Sequence, residues 1–241
     1  MARLKWDEIG KRLFETGVEK VVLYVNSNGV AWNGVSAINE SSSGAEANAV
    51  YADDIKYLNL ISVEEFGLTI EAYMYPDEFK KCLGINAFIP GITIGQQNRK
   101  KFDLSYQTLV GNDETGLDHG YKIHLVYGCL ASSSENEYNT VNDSPEAMSK
   151  SLEINTTPVE VGELKKTALL VIDSKKMQQA GLYNVLKAIE RILYGTDDKT
   201  PRIIYPNEML LLIKEQSHLL DDGGNFITDS TGELIKSAVY N

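Results

Sequence analysis

Most of the features that would reveal a function at sight are missing from this sequence of 241 residues. It has only two cysteines, Cys82 and Cys129, both in segments patterned like regular structure. Two buried thiols are therefore expected rather than a disulfide framework. No run of about 18 or more apolar residues occurs, so no membrane-crossing helix is expected. The opening stretch MARLKWDEIGKRLFETGV mixes charges without an apolar centre, and synthesis and folding in the cytoplasm are expected. In that setting the Asn-x-Ser/Thr triplets at Asn39, Asn142 and Asn155 carry no weight as glycosylation sites. Basic residues are also scarce, 23 Lys and Arg against 34 Asp and Glu, for a net charge of −11. A surface that wraps on phosphate draws its affinity from Lys and Arg, so a DNA-wrapping protein is not expected.

Chemical motifs are equally thin. Tyr194-Gly195-Thr196-Asp197-Asp198-Lys199-Thr200 ends in Lys-Thr as a phosphate loop does, but lacks the second glycine and follows a helical pattern rather than a strand. Asp118, His119 and His124 have no cysteine or carboxylate at ligand spacing around them, and read as a loop histidine and a strand-face histidine. Asp221-Asp222-Gly223-Gly224-Asn225 lacks the alternating acids and final Glu of a calcium loop, and reads as a turn. No Gly-x-Ser-x-Gly elbow is present, and neither cysteine has the surroundings of a nucleophile. No catalytic residue, metal or cofactor is assigned, and no enzyme is expected.

What the chain does have is β patterning. KVVLYV (20–25) is rich in β-branched and aromatic residues and runs into the turn Asn26-Ser27-Asn28-Gly29. FDLSYQTLVG (102–111) and YKIHLVYGC (121–129) flank Asn112–Gly116 and predict a hairpin. In the second of these, Tyr121, Ile123, Leu125 and Tyr127 share a face. Strands are also expected over 151–161 and 167–174. Asp77-Glu78 followed by Lys80-Lys81 and Gly84 fits a short helix aligned with its macrodipole. Leu182, Val185, Leu186, Ile189 and Leu193 give the strongest helical spacing in the chain, stopped by Gly195. Pro206 suits the first turn of another helix. The acidic, aperiodic run 131–145 reads as a loop, and 221–241 as a terminal hairpin or extension. One domain is the default at this length.

The chain is organised around residues 29–75. The turn Trp32-Asn33-Gly34 reads as exposed, and 33–50 reads as a long polar loop, mobile in the free subunit. A period-two strand follows, with Leu68, Ile70, Ala72 and Met74 on one face and Thr69, Glu71, Tyr73 and Tyr75 on the other. An acid and two tyrosines suit a partner surface.

These segments carry a family resemblance. The loop entered by Trp32-Asn33-Gly34 and followed by Tyr51-Ala52-Asp53, Tyr75-Pro76-Asp77-Glu78-Phe79, Gly95-Gln96-Gln97, Gly120-Tyr121-Lys122 and Asn142-Asp143-Ser144-Pro145 closely resemble the major tail proteins, the tail-tube subunits, of bacteriophages with long non-contractile tails. The resemblance covers about residues 1–200. It departs at Lys150, where a strand would carry an apolar or aromatic residue, and over 202–241.

The resemblance implies a mainly β, α+β fold: a β-sandwich or barrel-like tail-tube domain (1–200) with a flanking α-helix, an amino-terminal arm (1–19), a long stacking loop (33–50) and a carboxy-terminal extension (201–241). It implies a structural virion protein, assembled in the bacterial cytoplasm as six-membered rings stacked into the tail tube. The expected partners are further copies of itself and the tape-measure, tail-terminator and distal tail proteins. Duplex DNA would pass through the lumen without specific binding, and no membrane is involved. Trp32, Asn33, Glu40, Ser42, Glu46, Tyr51, Asp53, Tyr73 and Tyr75 are the expected ring-stacking residues. Glu71, Asp103, Asp113, Glu114, Asp118 and Glu153 are the candidate lumen acids. Two other classes stay open: a glycan-binding sandwich using Trp32 and the tyrosines as stacking platforms, and a small hydrolase using Glu64, Glu65, Asp77 and Glu78.

Overall fold

The computed structural model of the protein describes residues 4–132, 140 and 147–216. Along them run strands β1 (Leu13–Val25), β2 (Asn28–Ala31), β3 (Val35–Ser43), β4 (Ala47–Ala52), β5 (Ile55–Ile61) and β6 (Glu65–Ala72). A 3-10 turn follows (Asp77–Lys81), then β7 (Asn86–Ile89), β8 (Ile92–Ile94), β9 (Phe102–Asn112), β10 (Gly116–Ala131), β11 (Lys150–Asn155), β12 (Val159–Val161), β13 (Leu164–Thr167) and β14 (Leu169–Asp173). Helices α1 (Ser174–Gln179), α2 (Tyr183–Tyr194) and α3 (Pro206–Gln216) complete the described chain. The fold is mainly β with flanking helices.

One strand joins the two large sheets. The first sheet is ordered β2-β1-β9-β10-β14 and the second β11-β6-β3, with antiparallel pairing throughout. Over Lys122–Val126, β10 pairs with β14 in the first sheet. Its last residues, Leu130 and Ala131, pair with β11 in the second. Between the two stretches the register against β9 slips from Val126↔Leu104 to Cys129↔Phe102. Gly128 occupies the bulge at φ +61, where a Cβ would strike the Thr157 carbonyl. Its N–H donates to Asp103 Oδ1 at 2.8 Å, and its carbonyl accepts from Thr157 N at 3.0 Å. A bulge of this kind lets one strand turn out of one sheet and into another.

Over Val21–Val25, where β1 runs between β2 and β9, both of its faces are covered, whereas its first residues from Leu13 to Gly17 are exposed. Val21, Leu23 and Val25 point between the sheets, with Leu68, Ile70, Ala72, Leu104, Leu152 and Ile154. Val22 and Tyr24 point the other way, with Ile123, Leu125, Tyr127 and the α2 side chains Val185, Leu186, Ile189 and Leu193. This explains why KVVLYV is a continuous apolar run rather than an alternation. The resulting order is second sheet, first sheet, helices. Tyrosines fasten the helical layer: Tyr24 donates to the Leu193 carbonyl at 2.9 Å and Tyr127 to the Ile204 carbonyl at 3.0 Å. Leu193 lies in the last turn of α2, whose carbonyls have no partner within the helix.

Several sequence expectations hold. The hairpin over 102–129 forms, and its turn is held by Asn112 Oδ1, which accepts from Thr115 N at 2.7 Å and from Glu114 N at 3.2 Å. The α2 helix runs to Tyr194 with Gly195 as its cap, and Pro206 starts α3. Cys82 and Cys129 are free and buried. Burial pushes the Cys82 thiol up to about 11 and the Cys129 thiol upward as well.

Others need correction. The segment given to an arm, 1–19, enters β1 at Leu13, the strand tolerating Gly17 and Lys20 through register slips against β9. The 33–50 segment is no loop: β3 pairs along β6 from Val35 to Ser43, and β4 pairs with β5. Trp32 is 3% exposed; its Nε1–H donates to the Met74 carbonyl at 2.9 Å and its ring packs on Phe79 at 4.6 Å. The strand containing Ile70 ends at Ala72, leaving Met74 exposed rather than in the core. The carboxy-terminal extension was expected to pack on the same domain, and its first residues do so, Ile203 and Ile204 entering the helix-side core. The expected loop at 131–145 and the terminal segment 221–241 fall almost wholly outside the described residues.

Phe79 is fully buried against Trp32, Tyr75 and Phe102, whereas Phe88 on β7 is largely exposed. Phe79→Ala should cost about 3–5 kcal/mol, and Phe88→Ala should stay within about 0.5 kcal/mol. Urea unfolding midpoints of the two variants check this, and equal shifts would contradict the assignment of the core.

Candidate assembly surface

The ribbon formed by β3 and β6 does not end at the edge of the second sheet. It breaks at residues 44–46 and 62–64 and resumes as the β4–β5 pair, from Ala47↔Ile61 to Ala52↔Ile55. The turn at its tip is Asp53-Asp54, both at positive φ (50° and 63°), the backbone that a two-residue type I′ hairpin requires. At the neck, Glu46 N donates to Ser62 Oγ at 3.2 Å and Ser62 N to the Glu46 carbonyl at 3.2 Å. Gly44, at φ +81, lies so close to Val63 that a Cβ would collide with its carbonyl oxygen.

The projecting ribbon is apolar and unburied. Tyr51 is 69% exposed, Tyr57 68%, Leu60 59% and Ile61 70%, and Val63 beside the neck reaches 83%. Between Ala47 and Val63 the charged residues are Asp53, Asp54 and Lys56, all at the tip. A two-stranded hairpin alone is marginally stable in water, and exposed apolar patches of this kind mark interaction surfaces. A second pair, β7–β8, turns at Pro90-Gly91 and exposes Phe88, Ile89, Ile92 and Ile94. Ahead of β1, Leu4, Trp6 and Ile9 are also exposed. This leading segment is moored at one point, where Gly10 N donates to Asp113 Oδ1 at 3.0 Å and Asn112 Nδ2 to the Gly10 carbonyl at 3.2 Å.

The expected stacking residues scatter across these features. Tyr51 and Asp53 lie on the ribbon, and Glu46 at its neck. Asn33 and Ser42 are exposed on the body, with Tyr73 exposed beyond the end of β6. Tyr75 packs partly into the inter-sheet core, with Lys150 Nζ 5.6 Å from its ring. That contact accounts for a lysine at the start of β11. Trp32 belongs to the core, and Glu40 faces His124. Ile55, Tyr57, Leu58, Leu60 and Ile61 escaped the sequence reading. The available signals were Asp-Asp between VYA and IKYLNLI, and Pro-Gly between NAFI and ITI, each a short turn flanked by strand formers.

The six candidate lumen acids separate into three groups. Glu71 and Glu153 lie on the outward face of the second sheet, on strands whose Ile70, Ala72, Leu152 and Ile154 point inward. Around them that face carries Thr69, Ser151 and Asn155 and no basic residue of β6 or β11. Asp113, Glu114 and Asp118 sit at the β9–β10 turn, where Asp113 also pairs with Arg12 at 3.8 Å. Asp103 is engaged inside the protein: it accepts from Gly128 N and from the Tyr205 hydroxyl at 2.9 Å, and burial raises its carboxyl above the usual range. Both of its oxygens are thus engaged within the subunit.

No group of three or more His, Cys, Asp or Glu side chains among the described residues could hold a metal ion, and no described helix is long and apolar enough to cross a membrane. No protein-family model matches the chain, and no curated protein sequence does. Among solved structures, it is similar to a chain from a six-fold-symmetrised cryo-electron-microscopy structure of the anti-feeding prophage baseplate. Identity is 10% and the TM-score 0.37, over 70% of this chain and 97% of that one.

Gly44→Ala should force the neck open, since an alanine at that φ costs about 1–2 kcal/mol before the Val63 collision is counted. Hydrogen exchange should then show protection lost at Glu46 and Ser62 but kept in β9 and β10. Unchanged protection at the neck would mean that Gly44 does not set the bend.

Proposed function

We propose that this chain is a structural subunit that assembles with copies of itself into the tail tube of a bacteriophage with a long non-contractile tail, six copies to a ring and rings stacked along the axis. The observation that carries the reading is the β4–β5 ribbon. It is an ordered, apolar arm projecting from a body whose own cores are already filled, and an interface with another subunit would cover it. The resemblance in the segments around Trp32, Tyr75–Phe79 and Gly120–Lys122 supplies the family. Contacts of a head-to-tail kind close into rings when the rotation between neighbours divides a full turn.

The outward face of the second sheet suits the wall of a conduit. Glu71 and Glu153, repeated in each copy, would keep duplex DNA from adhering, since adhesion comes from Lys and Arg displacing counterions. In this reading the tape-measure, tail-terminator and distal tail proteins are the partners, assembly takes place in the bacterial cytoplasm, and the protein functions in the virion tail without catalysing a reaction. The glycan reading is weakened because the Trp32 indole is committed to Phe79 and the Met74 carbonyl. The hydrolase reading is weakened because Asp77 pairs with Lys80 at 2.7 Å within its own turn.

Concentrated wild-type protein should form rings or tubes in negative-stain micrographs. A variant in which residues 46–62 are replaced by a two-residue turn should remain folded and sediment as single subunits. Normal tubes from that variant would overturn the role of the ribbon. Separately, Glu71→Lys combined with Glu153→Lys should permit assembly but slow genome ejection from reconstituted particles. The delay should be larger at low salt, where the Debye length exceeds its value of about 8 Å at physiological ionic strength. Ejection at the wild-type rate in low salt would place the wall elsewhere.

A further inference from the structure

One stretch of this acidic chain contains no acid. Residues 79–102 carry five basic side chains, Lys80, Lys81, Arg99, Lys100 and Lys101, and no Asp or Glu, in a protein of net charge −11. The β7–β8 hairpin lies between the first two and the last three, and backbone bonds bring the two groups together at its root. Lys100 N donates to the Lys81 carbonyl at 3.2 Å, and Gln97 N to the Gly84 carbonyl at 2.9 Å. Lys80 is paired with Asp77 within its own turn. Lys101 Nζ lies 3.5 Å from Thr157 Oγ1. Lys81 and Lys100 are exposed, and neither forms an ion pair with a described acid. Above this root the hairpin is bare. Phe88, Ile89, Ile92 and Ile94 are exposed, and a Cβ on Gly91 at its turn would meet nothing within 4 Å.

An apolar finger on a cationic root calls for a partner that is apolar along its length and acidic at its end. The β4–β5 ribbon has that composition. Tyr51, Ile55, Tyr57, Leu60 and Ile61 are exposed along it, and its tip is Asp53-Asp54. Both acids are exposed and form no ion pair with a described residue; Lys56 stands two pairs behind them, opposite Tyr51. The ribbon adjoins the Glu65 end of β6, whereas the turn Asp77–Lys81, which holds the hairpin's root, follows the Ala72 end. The two surfaces are therefore different patches on one subunit, and their union is a contact of the kind from which rings and stacks are built. The acids of the second sheet do not share this composition: the face around Glu71 and Glu153 carries Thr69, Ser151 and Asn155.

We infer that the β4–β5 ribbon of one copy docks on the β7–β8 hairpin of another, with Asp53 and Asp54 set against Lys81 and Lys100 and the apolar flanks packed together. The inference rests on the assembly reading and names the surface that receives the ribbon. Apolar contact supplies the buried area, and the opposed charges fix which end of the ribbon meets which end of the hairpin. Two unpartnered carboxylates meet two unpartnered ammonium groups, so the contact leaves no charge of either sign without a neighbour.

Sedimentation velocity and negative-stain microscopy of the full chain test the contact through paired charge reversals. Asp53→Lys with Asp54→Lys, and separately Lys81→Glu with Lys100→Glu, change exposed side chains, so each protein should unfold at the wild-type urea midpoint. Each alone should lose rings and tubes, its association constant falling by on the order of a hundredfold. Mixed in equal amounts the two should assemble again, because each finds in the other the charge it lacks. Wild-type assembly by either variant alone, or no recovery on mixing, would overturn this contact and leave the assembly reading standing. A wild type that stays single would overturn both. Should a reversal shift the urea midpoint, Asp53→Asn with Asp54→Asn takes its place, and undiminished association of that protein would count against the contact. Phosphatidylserine vesicles give the last comparison: wild type that sediments with them through Lys81 and Lys100 without associating with itself would assign the patch to a lipid surface and overturn the inference.

Discussion

The whole architecture depends on a first sheet that is covered on both faces. A slip by one residue moves every side chain of a strand to the opposite face, and over the buried halves of β1 and β10 that would exchange the side chains of two filled cores at once. Leu23 and Val22 are neighbours in sequence yet belong to different hydrophobic clusters. The body is rigid for that reason, and its edges can carry unburied extensions without compromising the fold. Tyr24 shows how the layers are joined: its ring fills the helix-side core while its hydroxyl meets both Ser105 on β9, at 3.0 Å, and the Leu193 carbonyl.

How much of this could be read beforehand varied with the range of the interactions involved. Local signals were sufficient for α2, whose apolar spacing and terminal glycine need no partner to be recognised, and for the β9–β10 hairpin, whose Asn112 caps its own turn. They failed where the deciding partner was distant. Trp32 follows a turn and precedes Asn-Gly, so nothing nearby indicates that its indole finds the Met74 carbonyl 42 positions away. Asp103 looks like any outward strand acid until the Gly128 bulge and Tyr205 are brought to it. In β3, the run Ser41-Ser42-Ser43 has little intrinsic strand preference, and it is extended because the backbone of β6 pairs with it. The ribbon was missed for a related reason. Its β4 strand, ANAVYA, is half alanine, a residue depleted in strands, and only the partner run IKYLNLI makes the pairing evident.

The same contrast separates the two kinds of polar group. Asp113 and Ser62 accept from exposed backbone N–H groups, of Gly10 and Glu46, where water remains a competitor and each bond contributes little. Glu40, His124, Thr108 and Tyr106 meet in a corner between the sheets, with His124 and Tyr106 buried and Glu40 still open to water. The acids on the outward face of the second sheet belong to neither kind. Glu71 and Glu153 stand on the outward side of strands whose other face fills the inter-sheet core.

The bend at residues 44–46 and 62–64 gives the ribbon a vernier. Beyond it the arm is a two-stranded ladder with one register slip, between Val50 and Tyr51, so inserting one residue in each strand at its root would carry the Asp53-Asp54 tip outward by about 3.3 Å and turn the arm's side chains to the opposite side. Only paired insertions of two would restore the original facing. The reach of the arm can therefore be lengthened in increments of roughly 7 Å without altering the body, a ruler divided in dipeptides.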